Sequence, residues 1–276
     1  MARRARLDAE LVRRGLARSR QHAAELIDGG RVLLDGSPAS KPATQLDPAR
    51  PVRVLDASDG TPEYVSRGGH KLAGALDALG AAAPQVSGRR ALDAGASTGG
   101  FTDVLLRRGV AHVVAVDVGY GQLAWELRTD ERVTVMDRTN IRAIDPETVQ
   151  PQVDLIVGDL SFISLTLVLP ALVAVATPEA DLLLMVKPQF EVGKDRLGAG
   201  GVVRDPALHA EAVRTVVRAA AEHGLALRAV VASPLPGPSG NVEYFVHLSA
   251  GVATDEEAVL TMVADAITAG PAGDSR

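Results

Sequence analysis

The sequence predicts an α/β fold: a doubly wound, largely parallel sheet preceded by a small α+β unit. Three observations point there. From about residue 70 onward, apolar runs of strand length alternate with helical patterns, which demands parallel pairing through crossover helices. An apolar strand, a glycine-rich turn and a helix start follow one another in Ala91-Leu92-Asp93-Ala94-Gly95-Ala96-Ser97-Thr98-Gly99-Gly100-Phe101, the sequence that builds the crevice at the carboxyl end of such a sheet. The charge is also uneven. The first 60 residues hold eleven Lys and Arg against eight Asp and Glu, a net of +3, so the remainder carries −8 of the overall −5. A basic piece therefore precedes an acidic body.

Length and composition narrow the class. The 276 residues allow one large or two smaller domains, and at 46% hydrophobic but only 3% aromatic the core must be aliphatic. With no cysteine, disulfides and thiolate metal sites are excluded, which fits the cytoplasm. The basic start, Met1-Ala2-Arg3-Arg4-Ala5-Arg6, meets acids at Asp8 and Glu10, with no hydrophobic signal region behind it. The longest apolar run, Ile163 to Ala176, is interrupted by Ser164, Thr166 and Pro170; it is too short to span a bilayer and reads as a buried helix. No internal repeat is present.

The elements follow in order. Leu7, Leu11 and Val12 make a short one-faced helix ending near Gly15, and Ser19 can cap a second over Arg20 to Asp28. Arg31 to Leu34 and Pro51 to Leu55 read as strands, with a hairpin-type turn at Asp35-Gly36. The polar stretch Asp56 to Pro62 reads as a linker. Beyond it are a helix over Leu72 to Leu79 and strands at 89–94, His112 to Asp117, Val133 to Met136, Val153 to Val157 and Leu182 to Val186. A helix over Pro206 to His223, strands near Ala226–Ala232 and Val242–Leu248, and a helical tail from Asp255 to Ala269 complete the chain. The organisation is then residues 1–56, a linker at 57–63, a body over 64–250, and a C-terminal helix and tail over 251–276.

The glycine spacing selects the cofactor. A dinucleotide crevice wants G-x-G-x-x-G, whereas here Gly95 is followed by Gly99 and Gly100. An acid, Asp93, stands within the turn, suited to an amine rather than a pyrophosphate. About twenty residues on, a second strand ends in Asp117, the place where an acid receives ribose hydroxyls. These features suggest S-adenosylmethionine rather than NAD.

Four charged residues sit at strand ends or flanking loops: Lys71, Asp159, Lys187 and Glu243. A lone lysine is ordinarily a solvated charge and an acid at a strand end ordinarily a cap. Lys187, however, follows Leu-Leu-Leu-Met-Val and precedes Pro188, which predicts partial burial, and buried charges need partners. Arg3, Arg4, Arg6, Arg18 and Arg20 gather at the helix starts, either as solvated arginines or as a phosphate-contacting face. Phe162, beside Asp159, is either core or a stacking partner for a displaced base. Gly193 to Gly201 reads as a loop able to close over substrate.

The stretch Arg6 to Arg20, followed by Ala23 to Gly36, resembles the S-four RNA-binding module first seen in a ribosomal small-subunit protein. The body resembles the TlyA-type (haemolysin A) family of ribosomal RNA 2′-O-ribose methyltransferases, relatives of the FtsJ-type enzymes. The marks are Ser66-Arg67-Gly68-Gly69-His70-Lys71-Leu72, the Asp93 to Phe101 turn, Gly158-Asp159-Leu160-Ser161-Phe162-Ile163-Ser164, Lys187-Pro188-Gln189-Phe190-Glu191 and Gly240-Asn241-Val242-Glu243-Tyr244. The wider FtsJ-type turn carries a proline where Thr98 stands, a departure that belongs to the TlyA type.

The resemblance implies a Rossmann-like S-adenosylmethionine-dependent methyltransferase sheet with an N-terminal RNA-binding domain, acting on a ribose 2′-hydroxyl, of cytidine, in ribosomal RNA within ribosomal subunits. It implies a Lys–Asp–Lys–Glu set at Lys71, Asp159, Lys187 and Glu243, with Lys187 nearest the hydroxyl. A lysine of lowered pKa would accept the proton and a charged one would stabilise the alkoxide; both remain open. Asp93 and the turn with Gly95, Ser97, Thr98, Gly99, Gly100 and Phe101 would hold the methionine part, Asp117 the ribose hydroxyls, and Asp137 would lie near adenine. No metal is required. Two other readings compete. One is an RNA-binding assembly factor with a silent methyltransferase fold, which the intact four-residue set disfavours. The other is a membrane-lysing protein, which no spanning segment or strong amphipathic basic helix supports.

Overall fold

A computed structural model describes residues 5–17, 19–55, 63–237 and 239–271. It divides into two units, one ending at Val65 and the other beginning at Ser66. Arg3, Arg4 and Arg18, and nearly all of the expected linker, lie outside the described residues.

In the N-terminal unit, β1 (Ala5–Arg6) leads into α1 (Leu7–Arg13), and α2 (Arg20–Asp28) follows. The expected cap is present: Ser19 Oγ accepts the His22 amide at 3.1 Å. Then come β2 (Val32–Leu34), β3 (Ser37–Pro38), β4 (Gln45–Leu46) and β5 (Val52–Val54). The strands form a β3-β2-β5 sheet and a separate β1-β4 pair. The two-residue strands β1, β3 and β4 are absent from the sequence reading, because two residues carry no periodicity. Leu7, Leu11, Ala23, Leu26, Ile27, Val32 and Leu46 form the core.

Two buried carboxylates organise the arginines here. Asp8 accepts from Arg6 at 2.8 Å and from Arg20 at 2.9 Å. Glu10 accepts from Arg13 at 2.5 Å and Arg14 at 2.7 Å. Arg6 and Arg20 still expose 44% and 59% of their side chains. They are thus neither loose surface charges nor sealed ion pairs; each guanidinium is steered from behind by an acid.

The second unit opens with α3 (Arg67–Leu79), β6 (Arg90–Ala94), α4 (Gly100–Arg107) and β7 (His112–Val116). It continues through α5 (Trp125–Arg128), β8 (Val133–Met136), β9 (Val153–Gly158), α6 (Leu169–Val175), β10 (Ala176–Val186) and α7 (Pro188–Glu191). It closes with α8 (Pro206–Glu222), β11 (Leu225–Ala232), β12 (Tyr244–Ala250) and α9 (Glu256–Ala269). The seven-stranded sheet has the order β11-β12-β10-β9-β6-β7-β8. The pairs β10/β9, β9/β6, β6/β7 and β7/β8 are parallel. β12 runs antiparallel to both neighbours, β10 and β11, against the expectation of parallel pairing. It comes after β11 but inserts between β11 and β10, with no helix between the two last strands to reverse its direction.

Three further expectations are corrected. α3 starts at Arg67, five residues ahead of Leu72. Gly68 and Gly69 argue against helix by propensity, but close packing of α4 on this turn overrides it. The run from Ile163 to Ala176 is not one helix: a 3₁₀ turn (Leu165–Leu167) precedes α6, and Ala176 already begins β10. Glu243 lies just ahead of β12 rather than within its first turn of pairing.

The chain leaves β6 toward β7 and β8, then returns to build β9 and β10 on the other side. The switch point lies between β6 and β9, where ligands bind in this class of sheet. There the Asp159 amide donates to the Ala94 carbonyl at 3.0 Å, joining the two crevice turns.

The arginine partners hold the Glu10 carboxyl at about 2, Arg13 first, against an ordinary 4.5. Because the folded value is depressed, the stability it contributes is present above pH 4.5 and lost as pH falls toward 2. Glu10→Gln should speed amide exchange in α1 on the order of fivefold near neutral pH, Arg13 being exposed. Hydrogen-exchange mass spectrometry of parent and variant should show the gap closing below pH 4.5.

Candidate active site

Three adjacent strands deliver three of the four expected charges to one edge. Gly158, the last residue of β9, pairs with Leu184 of β10, and Val186 of β10 pairs with Tyr244 of β12. Asp159, Lys187 and Glu243 therefore emerge side by side. Lys71 arrives from the first turns of α3. Its Nζ lies 2.5 Å from Glu243 Oε2, with both side chains buried. Lys187 Nζ lies 2.6 Å from Asp159 Oδ1 and donates to Ser161 Oγ at 2.9 Å. The expected need for partners is met one to one: each lysine has its own carboxylate, so no net charge is stranded.

The two pairs are not equivalent. Lys71 and Glu243 are sealed, and a Cβ on Gly237 would come within 2.6 Å of Glu243 Oε1. Asp159, with 23% of its side chain exposed, lines a cavity of about 500 Å³. That volume suits a small-molecule ligand. Gly95, Ser97, Asp117, Gln122, Asn140, Ser161 and Phe162 share the lining. Gly95 has φ 84°, and a Cβ there would meet the Asp159 carbonyl at 3.0 Å, so only glycine leaves this wall open. Asp117 bridges two loops: Oδ2 accepts the Ser97 amide at 2.8 Å and Oδ1 the Gly119 amide at 2.7 Å. Each oxygen keeps a second acceptor position for a ligand hydroxyl.

Of the nine residues expected around the cofactor, Gly95, Ser97 and Asp117 line this cavity. The others serve the frame. Gly100 packs against α3, where a Cβ would come 2.6 Å from the Gly69 amide nitrogen. Gly99 faces Leu123 and Leu127, and Phe101 is buried, stacked on Phe245 at 6.0 Å. Thr98 is exposed, and its carbonyl accepts the Ala124 amide. Asp137 accepts from Arg128 at 2.8 Å and from the Gly121 amide at 3.2 Å, outside the cavity lining. Thr139, Asn140 and Ile141 line it instead. Asp93 is fully buried beneath the turn. Thr102 Oγ1 donates to its Oδ2 at 2.7 Å, while Oδ1 has no hydrogen-bond partner among the described residues. Burial pushes this carboxyl up to about 7, with the charges of Asp159 and Asp117 adding to the rise.

Phe162 is 92% exposed, which removes the core reading. Its φ is 65°, a left-handed conformation costly for an aromatic residue. Its ring meets that of Phe190 at 5.4 Å and 47°. Gln122 and Asn140, which line the cavity, are absent from the sequence reading, and Ser161 and Phe190 stand there only inside the quoted stretches with no role assigned. Only Ser161 had a visible signal, a hydroxyl two residues past a strand-end acid. The Gly193 to Gly201 loop holds two short 3₁₀ turns, and Asn241 ties its end down by accepting the Val203 amide at 2.9 Å.

The chain is similar to known proteins across both units. Residues 64–250 match the FtsJ-like methyltransferase family and residues 5–50 the S4 domain. A Mycobacterium tuberculosis protein named 16S/23S rRNA (cytidine-2′-O)-methyltransferase TlyA is 62% identical over 248 residues, covering 90% of this chain and 91% of that one. Hemolysin A of Brachyspira hyodysenteriae is 33% identical, covering 88% of this chain and 98% of its own. A solved structure from Streptococcus thermophilus, named as a candidate hemolysin, superposes with a TM-score of 0.74 at 34% identity and 96% coverage of both chains.

The raised Asp93 carboxyl gives a test of the crevice floor. The folded protein holds its proton more tightly than the unfolded chain, so stability falls as pH rises from 3.8 to about 7. Asp93→Asn removes that slope. The difference in Tm between variant and parent should shift in favour of the variant across this window and level off above it, as read by calorimetry at matched ionic strength.

Proposed function

The chain belongs to the FtsJ-like methyltransferase family, and on that premise we propose that it transfers a methyl group from S-adenosylmethionine to a ribose 2′-hydroxyl of cytidine in ribosomal RNA. The observation that carries the reading is Lys187 held against Asp159 and Ser161, two residues that line the switch-point cavity, backed by the sealed Lys71–Glu243 pair. The substrate is the one printed for the 62% identical relative. The S4 domain supports RNA as the partner, and ribosomal subunits in the cytoplasm are where such RNA is met. Among the described residues no helix is long and apolar enough to cross a membrane, so the lytic reading has no spanning segment behind it.

The cavity fits the cofactor. Gly95 leaves room at its wall, and Asp117 offers acceptors for ribose hydroxyls. Ser97, Gln122 and Asn140 add polar groups along the same lining. When bound, S-adenosylmethionine supplies a sulfonium methyl already activated for transfer, so the protein's task is alignment. Lys187 Nζ has three donor positions. Ser161 takes one, and the Asp159 carboxylate lies at ion-pair distance from the same group. A remaining donor is left for the 2′-oxygen, whose growing negative charge strengthens that hydrogen bond toward the transition state. With Lys187 charged, the hydroxyl proton leaves to the Asp159 carboxylate as the methyl passes from sulfur to oxygen. Glu243 and Lys71 keep the edge of the sheet neutral and fixed behind them. Phe162 offers an exposed face on which a displaced base can stack. Arg6 and Arg20, held by Asp8, present guanidinium groups to RNA phosphates.

Two measurements test the reading. Asp117→Ala should weaken S-adenosylmethionine binding by about 1.5–3 kcal/mol by calorimetry and leave RNA binding nearly intact; unchanged cofactor affinity would remove Asp117 from the site. Lys187→Ala should slow single-turnover transfer of tritiated methyl to purified, unmethylated ribosomal subunits by ~10²–10³-fold, with cofactor affinity and subunit binding retained. Arginine should not restore the rate, because its planar fork differs from a compact amine. A Lys187→Ala rate within a few-fold of the parent overturns the assignment, and 2′-O-methylation mapped to a base other than cytidine overturns the substrate.

A further inference from the structure

The four-residue helix α7 follows Lys187 directly, and its last residue reaches back to the loop after β9. Glu191 Oε2 accepts Ser164 Oγ at 2.5 Å, and Oε1 accepts the Leu165 amide at 2.8 Å. At the other end of the same loop, Ser161 Oγ accepts from Lys187 Nζ at 2.9 Å. Residues 161 and 164 are thus pinned by residues 187 and 191 of one short segment. Between the pins stands Phe162, exposed and left-handed at φ 65°. A non-glycine residue persists in that region only when its surroundings over-determine it. Phe190, also on α7, meets the Phe162 ring at 5.4 Å. The two bonds to Glu191 fix the chain on the C-terminal side of Phe162, opposite the Lys187 pin. Glu191 is half-buried, and this burial raises its carboxyl although the Ser164 and Leu165 bonds oppose the rise.

We propose that Glu191 is a positioning residue for substrate recognition: by clamping Ser164 and Leu165 it holds Phe162 in the one conformation that presents its ring to a displaced nucleobase. The inference rests on the reading of Phe162 as the stacking partner. It differs from a general structural role, because its effect must pass through Phe162. Glutamine can keep both bonds, accepting the Leu165 amide at Oε1 and donating from Nε2 to Ser164 Oγ. Alanine loses both.

The test is a double-mutant cycle on unmethylated ribosomal subunits, read as kcat/KM and KM for the subunit. Base–aromatic stacking predicts that Phe162→Ala lowers kcat/KM by about tenfold to hundredfold, chiefly through KM. Glu191→Ala should fall by a similar factor, Glu191→Gln should stay within about twofold of the parent, and Ser164→Ala should lie between. In the Phe162→Ala background, Glu191→Ala should add less than about twofold, because coupled residues are non-additive. Should Glu191→Ala be poorly folded, Ser164→Ala in the two backgrounds carries the same cycle. Additive losses, or a Glu191→Gln variant as impaired as alanine, overturn the clamp while leaving the Phe162 reading in place. A Phe162→Ala enzyme with parental KM overturns that reading, and the clamp with it.

Discussion

Lys71 and Glu243 stand 172 residues apart in the chain and meet at 2.5 Å where water does not reach. Neither charge is tolerable there alone; removing one partner from a buried pair typically costs about 3–5 kcal/mol, because the other is left uncompensated. The pair therefore ties α3 to the start of β12, and with it the last-inserted strand to the helix that packs on the glycine turn. Around it the fixing continues. Asn241 accepts the Val203 amide and donates to the Gly201 carbonyl, and His209 bridges the Val203 carbonyl and the Tyr244 hydroxyl. The Lys187 side of the site thus rests on a neutral, hydrogen-bonded frame.

That division of labour explains why two lysine–carboxylate pairs occupy one sheet edge. The Lys71–Glu243 pair is sealed, whereas in the second pair Asp159 reaches the cavity lining. A similar economy appears in the N-terminal unit, where Asp8 and Glu10 are buried acids whose partners Arg6, Arg20 and Arg13 remain substantially exposed. An acid behind a guanidinium reduces the side-chain freedom lost when that arginine meets a phosphate. In both units, then, charged side chains are oriented by partners set within the fold.

The glycine turn carries two demands in one stretch of sequence. Gly95 keeps the cavity wall open, while Gly100 lets α4 approach α3 closely. Reading all of its residues as ligand contacts conflates them. Asp93 shows the same thing from the acidic side. It stands at the strand end where a ligand contact is expected, yet the structure buries it below the turn, bonded to Thr102.

What the sequence by itself determined is what nearest neighbours along the chain decide. The strands ending at the crevice, the Ser19 cap, the turn after β6 and the placement of Asp159, Lys187 and Glu243 near strand ends all follow from periodicity, capping and turn chemistry within a few residues. The lysine–carboxylate composition of the site was legible for the same reason: apolar flanks announced burial, and burial announced partners. Which carboxylate served which lysine was not, because the pairing depends on the register of β10 against β9 and β12. The antiparallel course of β12, the capture of Asp137 by Arg128, the helical state of Gly68 and Gly69, and the outward, left-handed Phe162 held between Lys187 and Glu191 were likewise settled by contacts distant in the chain. Local propensities there are weak or opposed, and the packing of elements decides between alternatives that the sequence leaves nearly equal in energy.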